Sequence, residues 1–503
     1  MSFQSLVKST VLIGSSSAAT TLVGILRVKA LALLVGPAGV GLLGVLAGVA
    51  GVGTTLSALG ADTSGTRRIA LDRGDADRLA RVRRTLLLVA LVHGIACAAL
   101  FWLLRVPLAR LVLGSEEHAF DVGLVGLAVA LSLVAGLQIA QLQGLGRVRD
   151  IARVNVLASL TGSALGLAAV AMWGKAGLVL LVVAQPAVAA VLASRAAAVP
   201  HTLPRPAIGW RGAVADWREM VGAGVPYMLS FLVLAVVPLA IRALVIHDLG
   251  IEAAGHFHAA WTMAVTYVGF LLNAMSADYF PRLTAIARDR EAAAALIDDQ
   301  IQLGLAIGGV ALLAMLAGAP LLVPLLYSDA FSPAITLVEW MALGNVMKVA
   351  GWPIAFLAMA HGRSLQFFLL ELAWSLVLLA LVVLLLPHAG LAATGIAFTV
   401  ACAVFLGLQA GMAYAAFGFR PTRNAVAMLA CFLAAGATTL LAARLSPLLA
   451  AGLGGSLALI LGLTSLRFIL GRIGADGRIA ALAWRGFERI GWPMPAALAH
   501  RQG

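Results

Sequence analysis

Fourteen apolar runs follow one another along this chain, separated by short polar breaks. They cover roughly residues 9–34, 40–62, 86–112, 122–144, 155–173, 177–197, 221–246, 256–279, 302–326, 334–359, 365–386, 391–415, 425–443 and 449–470. A helix rises about 1.5 Å per residue, so about 20 apolar residues span the hydrocarbon core of a bilayer. In lipid, every backbone N–H and C=O must be bonded within the protein, which leaves helices as the solution for runs of this length. Composition agrees, since 62% of the 503 residues are hydrophobic and only 11% are charged, with mean hydropathy +1.00. Soluble domains carry about 25% charged residues, and the stretches between these runs are too short for a large soluble domain. The expected fold class is therefore all-α, a polytopic membrane protein of 14 spans.

The net charge of +13 would suggest nucleic acid in a soluble protein, but here the cations sit in loops beside membrane spans. Of 35 Lys and Arg, 27 fall in one set of loops and the tail, among them Arg67, Arg81, Arg147, Arg205, Arg282, Arg363 and Arg420. The opposite set holds Arg105, Arg110, Lys175 and Arg444. Cytoplasmic loops carry the excess of Lys and Arg, so both termini are expected to be cytoplasmic. The start, Met1 to Thr10, has no small-residue cleavage site before its apolar run, which predicts an uncleaved first helix. Cys97, Cys402 and Cys431 all lie within apolar runs, predicting no disulfide and no metal site. No cofactor motif is found.

The chain repeats itself at an offset of about 213–216 residues. Gly36-Pro37-Ala38-Gly39 follows a first run bearing Arg27 and Lys29, and Gly250 follows a run bearing Arg242. Leu113-Gly114-Ser115-Glu116 returns as Leu326-Tyr327-Ser328-Asp329, and Gly144-Leu145-Gly146-Arg147 as Ala360-His361-Gly362-Arg363. Gly174-Lys175-Ala176-Gly177-Leu178 returns as Pro387-His388-Ala389-Gly390-Leu391. Six spans separate matching positions, so the halves are parallel repeats, which meet around a central site. The predicted organisation is an N-terminal six-helix bundle (1–200), a Pro-rich cytoplasmic linker (201–219) and a second six-helix bundle (220–424). Two additional helices (425–470) and a cytoplasmic tail (471–503) follow. The tail carries Trp484, Phe487, Ile490 and Trp492 among arginines, a composition suited to the membrane surface.

Four cations lie inside spans: Arg27, Lys29, Arg242 and Lys348. A cation at the bilayer centre costs about 2.5–3.5 kcal/mol on insertion scales, so such residues mark sites. Lys348 is the deepest, about 20 Å into its span at 1.5 Å per residue. Its competing reading is a structural bridge to Glu371 in the next span. Arg242 and Lys29 lie nearer the outer surface, where snorkelling competes with binding. Arg27 and Lys29, two residues apart, face nearly opposite sides of a helix. Among acids, Glu371 is the leading titrating candidate. Asp62 and Asp278 lie near the cytoplasmic ends of their spans, where Asp278 can pair with Arg282 one turn on. Glu339, near the outer headgroups, is expected to be solvated. His93 reads as a hydrogen-bonded packing residue, and Gln138 with Gln141 either as a polar path or as interhelical glue. No phosphate loop, zinc-ligand pair or nucleophile elbow occurs, so no catalytic residue and no enzyme activity are expected.

These features together resemble the Wzx-type polysaccharide and O-antigen flippases of the multidrug/oligosaccharidyl-lipid/polysaccharide exporter superfamily. Within them the chain is most similar to the lipid III flippases of enterobacterial common antigen. The resemblance rests on Gly36-Pro37-Ala38-Gly39-Val40-Gly41 after a Lys-bearing helix, on Pro238 with Arg242, on Leu337 to Val349, and on Glu371. An Asp is usual in that family where this chain has Asn345, and a Lys where it has Lys348. The resemblance implies a V-shaped pair of six-helix bundles in the bacterial inner membrane, working by alternating access. It also implies an undecaprenyl-diphosphate-linked oligosaccharide as cargo, with other polysaccharide-assembly proteins as partners and no nucleic acid. Lys348, Arg242, Lys29 and Arg27 would hold the diphosphate, and Glu371, Asp62 and Asp278 would be the coupling candidates. The alternatives are a lipid II flippase of peptidoglycan synthesis and a multidrug/cation antiporter on the same fold. A membrane glycan polymerase or ligase is disfavoured by the short outer loops.

Overall fold

The computed structural model of the chain describes residues 3–72, 74–198 and 210–473, together with Phe487. Of the expected linker 201–219, residues 201–209 lie outside the described residues, as do Trp484, Ile490 and Trp492 of the tail, whereas 210–219 are not a linker but the first turns of a helix, Trp210–Leu249. The helices run in chain order as α1 (Phe3–Ala58), α2 (Ala61–Leu71), α3 (Ala76–Leu103), α4 (Arg105–Leu113), α5 (Ala119–Gly144) and α6 (Val148–Trp173). Then come α7 (Leu178–Ala197), α8 (Trp210–Leu249), α9 (Ile251–Trp261), α10 (Tyr267–Ile286), α11 (Arg290–Gly304) and α12 (Val310–Leu326). The last are α13 (Pro333–Ala360), α14 (Ser364–Ala389), α15 (Ala392–Phe417), α16 (Arg423–Leu445) and α17 (Pro447–Ile473). No strand occurs among the described residues. Two π-helical turns, Thr262–Thr266 and Leu305–Gly309, join α9 to α10 and α11 to α12.

Among the described residues, 11 helical segments are long and apolar enough to cross a membrane, against the 14 runs of the sequence. The difference has local causes. Ala19–Ala58, with 40 residues, and Val148–Ala197, with 50, are each long enough to cross twice. The first is interrupted at Gly36 and the second at the turn Gly174–Gly177. The eighth run, made of α9, the π turn and α10, is not among the 11 segments.

Gly36-Pro37-Ala38-Gly39 is not a loop but a kink inside α1. Gly36 takes φ 63 and ψ −168, and Pro37 continues the helix beyond it. Only glycine reaches that backbone region without strain, and proline lacks the N–H that would extend the preceding turn. Just past the kink α1 crosses α9 with backbones touching. A Cβ on Gly41 would clash with the Ile251 carbonyl, and one on Gly255 with the Pro37 carbonyl. The repeat is visible in the backbone as paired left-handed glycines: Gly36 and Gly250, Gly146 (φ 72) and Gly362 (φ 70), Gly174 (φ 57) and Gly390 (φ 55).

The chain divides into two compact units. One comprises Met1–Ala259 with Pro324–Ser332 and Leu386–Leu391, and the other Ala260–Val323, Pro333–Leu385 and Ala392–Gly503. In the first unit Ile69, Leu86, Leu133 and Met220 form a core where α2, α3, α5 and α8 converge. His93 pins this region. Its Nδ1 bonds the Ser57 carbonyl at 2.8 Å, and Trp217 Nε1 donates to its Nε2 at 3.1 Å. The indole can only donate, so the proton of the neutral ring sits on Nδ1. In the second unit Tyr279, Leu283, Ile297, Leu316, Val346, Ile354 and Phe432 build the core, and the Tyr279 hydroxyl donates to the Pro353 carbonyl at 2.8 Å.

Candidate functional site

In the first unit the cations of α1 and α8 have different surroundings. Arg242 is 7% exposed, yet no carboxylate pairs with it among the described residues. Its Nη2 donates to His258 Nδ1 at 3.3 Å, and its Cζ lies 5.9 Å from the Phe257 ring centroid. Gly48 lies against the guanidinium, where a Cβ would stand 3.4 Å from Nη1, an ordinary contact. The Arg242 Nε is buried with no hydrogen-bond partner. Arg27 donates from Nη1 to Gln185 Oε1 on α7 at 2.8 Å. Arg242 and Arg27 are thus two cations inside apolar helices of the same unit, one on an imidazole and one on an amide oxygen. Concentrated positive charge in an apolar helix bundle is costly until water or an anion neutralises it.

Lys29 does not join them. Its Nζ donates to the Pro324 carbonyl at 3.0 Å and the Tyr327 carbonyl at 2.7 Å. A lysine on the last carbonyls of a helix satisfies orphan acceptors and opposes the negative end of the dipole. The opposite faces read for Arg27 and Lys29 are therefore occupied by different partners, Gln185 and the Pro324–Tyr327 carbonyls.

In the second unit, Lys348 on α13 points its Nζ at the Trp374 ring of α14, 4.6 Å from the centroid. Such a cation–π contact contributes about 0.5–2 kcal/mol. Glu371, half-buried, is close enough to feel the Lys348 charge. Nevertheless, no hydrogen bond or ion pair joins the two among the described residues. Asn345, one turn before Lys348, is 1% exposed and donates from Nδ2 to the carbonyls of Ala264 (2.7 Å) and Met341 (2.8 Å). Ala264 belongs to the π turn Thr262–Thr266, so this amide bonds irregular backbone. The carboxylate usual at that place in the resembling family has no N–H to give.

The remaining acids have plain roles. Asp278 pairs with Arg282 at 3.0 Å, and both are exposed. Asp62, exposed at the start of α2, accepts the Thr63 N–H at 2.8 Å and lines a cavity of about 460 Å³ with Thr54, Thr55 and Phe231. Glu339, expected to be solvated, is instead 4% exposed and lies near Arg444. It sits on α13, most of whose residues are buried, so a place near a span end does not expose it. Gln141 accepts from Arg83 Nε at 3.1 Å, which is the interhelical glue reading. Gln185, His258 and Trp374, the partners of the buried cations, went unremarked in the sequence because ordinary polar and aromatic residues in apolar runs carry no periodic signal.

The signature of a family described as polysaccharide biosynthesis protein matches residues 6–287. Among solved structures the chain is similar to the lipid II flippase MurJ in an inward closed conformation, at 12% identity and TM-score 0.68, covering 92% of this chain and 100% of that one. It is also similar to an inward-facing multidrug resistance MATE family transporter of the MOP superfamily, at 18% identity and TM-score 0.56, covering 80% of this chain and 95% of that one. A third similar structure is a MOP superfamily transporter from Pyrococcus furiosus, at 18% identity and TM-score 0.51, covering 82% and 97%. At such identities the similarity concerns the fold. No curated protein sequence matches the chain. The family signature spans more than half of the 503 residues, and the chain belongs to the polysaccharide biosynthesis protein family.

Proposed function

We propose that the protein is a flippase that carries an undecaprenyl-diphosphate-linked oligosaccharide from the cytoplasmic to the periplasmic leaflet by alternating access. The observation that carries this reading is Arg242, a guanidinium 7% exposed in an apolar helix with no carboxylate partner among the described residues. A diphosphate brings the negative charge that such a site lacks, and arginine matches phosphate in a bidentate manner. Family membership and the fold shared with MurJ support a lipid-linked cargo. Arg242, Arg27 and Lys348 are the cations assigned to the diphosphate. Lys29, with two carbonyl partners, is assigned to fastening the fold. Glu371 is the coupling candidate, with Asp62 and Asp278 behind it. The reading includes 14 crossings in the bacterial inner membrane, both termini cytoplasmic, and bundles at 1–200 and 220–424. It includes no chemical change to the cargo.

A second reading takes lipid II as the cargo, on the similarity to MurJ. Vesicles holding the purified protein and either a lipid-linked oligosaccharide or lipid II separate the two. The first cargo is expected to exchange between leaflets with its mass unchanged, and Arg242→Ala to abolish exchange while Arg242→Lys retains part of it. Exchange of lipid II alone would favour the second reading, and a changed cargo mass would make the protein an enzyme.

A further inference from the structure

The second unit contains a cavity of about 460 Å³ that the transport reading does not use. Its wall carries Arg290, His361, Arg363 and Arg420, with Glu291 as the single carboxylate. Arg363 Cζ stands 4.9 Å from the centroid of the Phe417 ring, and the His361 ring lies 4.4 Å from the same ring. Arg420 stacks at 4.7 Å on Tyr414 and donates to its hydroxyl at 2.9 Å. An arginine held over an aromatic ring spends little of its five-donor fork there and can still donate to a pair of phosphate oxygens. His361 Nδ1 donates to the Leu357 carbonyl at 3.0 Å, so Nε2 is the ring atom not bonded to backbone. Neither Arg290 nor Arg363 forms an ion pair or a side-chain hydrogen bond among the described residues.

The repeat makes this meaningful. Gly146 and Gly362 form the same left-handed turn, each followed by an arginine near the end of a neighbouring helix. In the first copy Arg147 is neutralised, with Nε on Asp150 at 2.7 Å and Nη1 on the Ala196 carbonyl at 2.8 Å. In the second copy the place of Asp150 is taken by Gln366, whose Oε1 is buried and unpartnered. The same turn therefore presents a paired arginine in one half and an unpaired one in the other. The wall is also held in place. Asp298, 5% exposed, accepts the Thr422 N–H at 2.8 Å, the Thr422 hydroxyl at 2.6 Å and Gln302 Nε2 at 2.6 Å, which fixes the turn that bears Arg420.

We propose that this cavity binds a phosphate group, and that its source is an anionic phospholipid. The cationic rim answers the phosphate, and the apolar lining from Ala287, Ala294 and Leu357 answers the start of an acyl chain. A free phosphate or pyrophosphate would use the rim alone.

The test uses the purified full-length protein in nanodiscs of phosphatidylcholine with or without phosphatidylglycerol. Lipid retained through delipidation is counted by native mass spectrometry. Wild type is expected to retain phosphatidylglycerol in preference to phosphatidylcholine. Arg363→Ala with Arg420→Ala should weaken that preference by about tenfold or more, the size of a charge-assisted contact. Arg288→Ala, an exposed arginine outside the wall, should not. Gln366→Asp is the sharper variant, because it supplies in the second copy the carboxylate that Asp150 supplies in the first. It should fold normally and lose the preference. Equal retention by wild type and Gln366→Asp would overturn the site. Displacement of the lipid by millimolar pyrophosphate, itself bound with the same dependence on Arg363, would overturn the lipid as its source.

Discussion

Asn345→Asp tests whether the middle of α13 is held by an amide or is open to a cation. The wild-type Nδ2 donates to two carbonyls at 2.7 and 2.8 Å from a side chain that is 1% exposed. An ionised carboxylate loses both donations, each worth about 1 kcal/mol net, and is itself buried with no donor to satisfy it, about 1–3 kcal/mol more. It also sets a negative charge against two carbonyl oxygens. The expected loss is about 3–5 kcal/mol, a large share of a total stability of about 5–15 kcal/mol. Asn345→Leu has the same branched set of four side-chain heavy atoms and loses the same donors without adding charge, so it should lose about 2–3 kcal/mol. Thermal unfolding in detergent, followed by size-exclusion recovery, should rank wild type above Leu and Leu above Asp. An Asn345→Asp protein as stable as wild type would refute the reasoning. It would also reopen this position to the acidic role that the resembling family suggests.

Lys348→Ala should insert and fold, since it gives up one cation–π contact at 4.6 Å, yet lose cargo exchange; wild-type exchange in vesicles would remove it from the site. Lys29→Met should behave in the opposite way, lowering the melting temperature by removing two charge-assisted bonds of about 1.5–3 kcal/mol each at most, with cargo binding unchanged by titration. His118, just before α5, bonds Asp121 at 2.9 Å, and this raises its pKa above the usual 6.5. A raised value in the folded state contributes stability that is complete below about pH 6.5 and fades as pH rises through the folded pKa, so Asp121→Asn should cost stability at about pH 5.5 and little at about pH 9. Cysteines placed near Glu116 and Ser328 should be labelled from outside intact cells and one near Arg81 should not; the reverse pattern would invert the proposed orientation.

The helices and their order were legible because lipid imposes one simple requirement, long apolar runs, and each break is written in residues with a backbone consequence. Gly36, Gly146, Gly174, Gly250, Gly362 and Gly390 mark the repeat as letters, and their left-handed φ angles mark it again as backbone. Asp278 with Arg282 was legible because a helix brings residues four apart together. What stayed hidden depends on which helix lies opposite. Arg27 and Lys29 are neighbours in sequence, but their partners Gln185 and Tyr327 lie 158 and 298 residues away. Glu339 was misread because depth along a span says nothing of what covers it from the side.

That distinction bears on how the cations should be weighed. A charge inside an apolar run marks a position that must be answered, but not by what. Lys29 is answered by carbonyls of its own unit, Lys348 by an indole face, and Arg27 in part by an amide oxygen. Arg242 keeps a buried Nε with no hydrogen-bond partner, a feature Arg27 shares, but its Nη2 bonds an imidazole at 3.3 Å where Arg27 has an amide oxygen at 2.8 Å. Of the four it is the one whose environment is least complete without an anion, although it lies shallower in its span than Lys348. Depth ranked Lys348 first; the unanswered hydrogen-bonding capacity ranks Arg242 first. The two rankings part in a binding experiment. If diphosphate affinity falls further in Arg242→Ala than in Lys348→Ala, local electrostatic incompleteness is the better guide to the site, and the reverse order would return the primacy to depth.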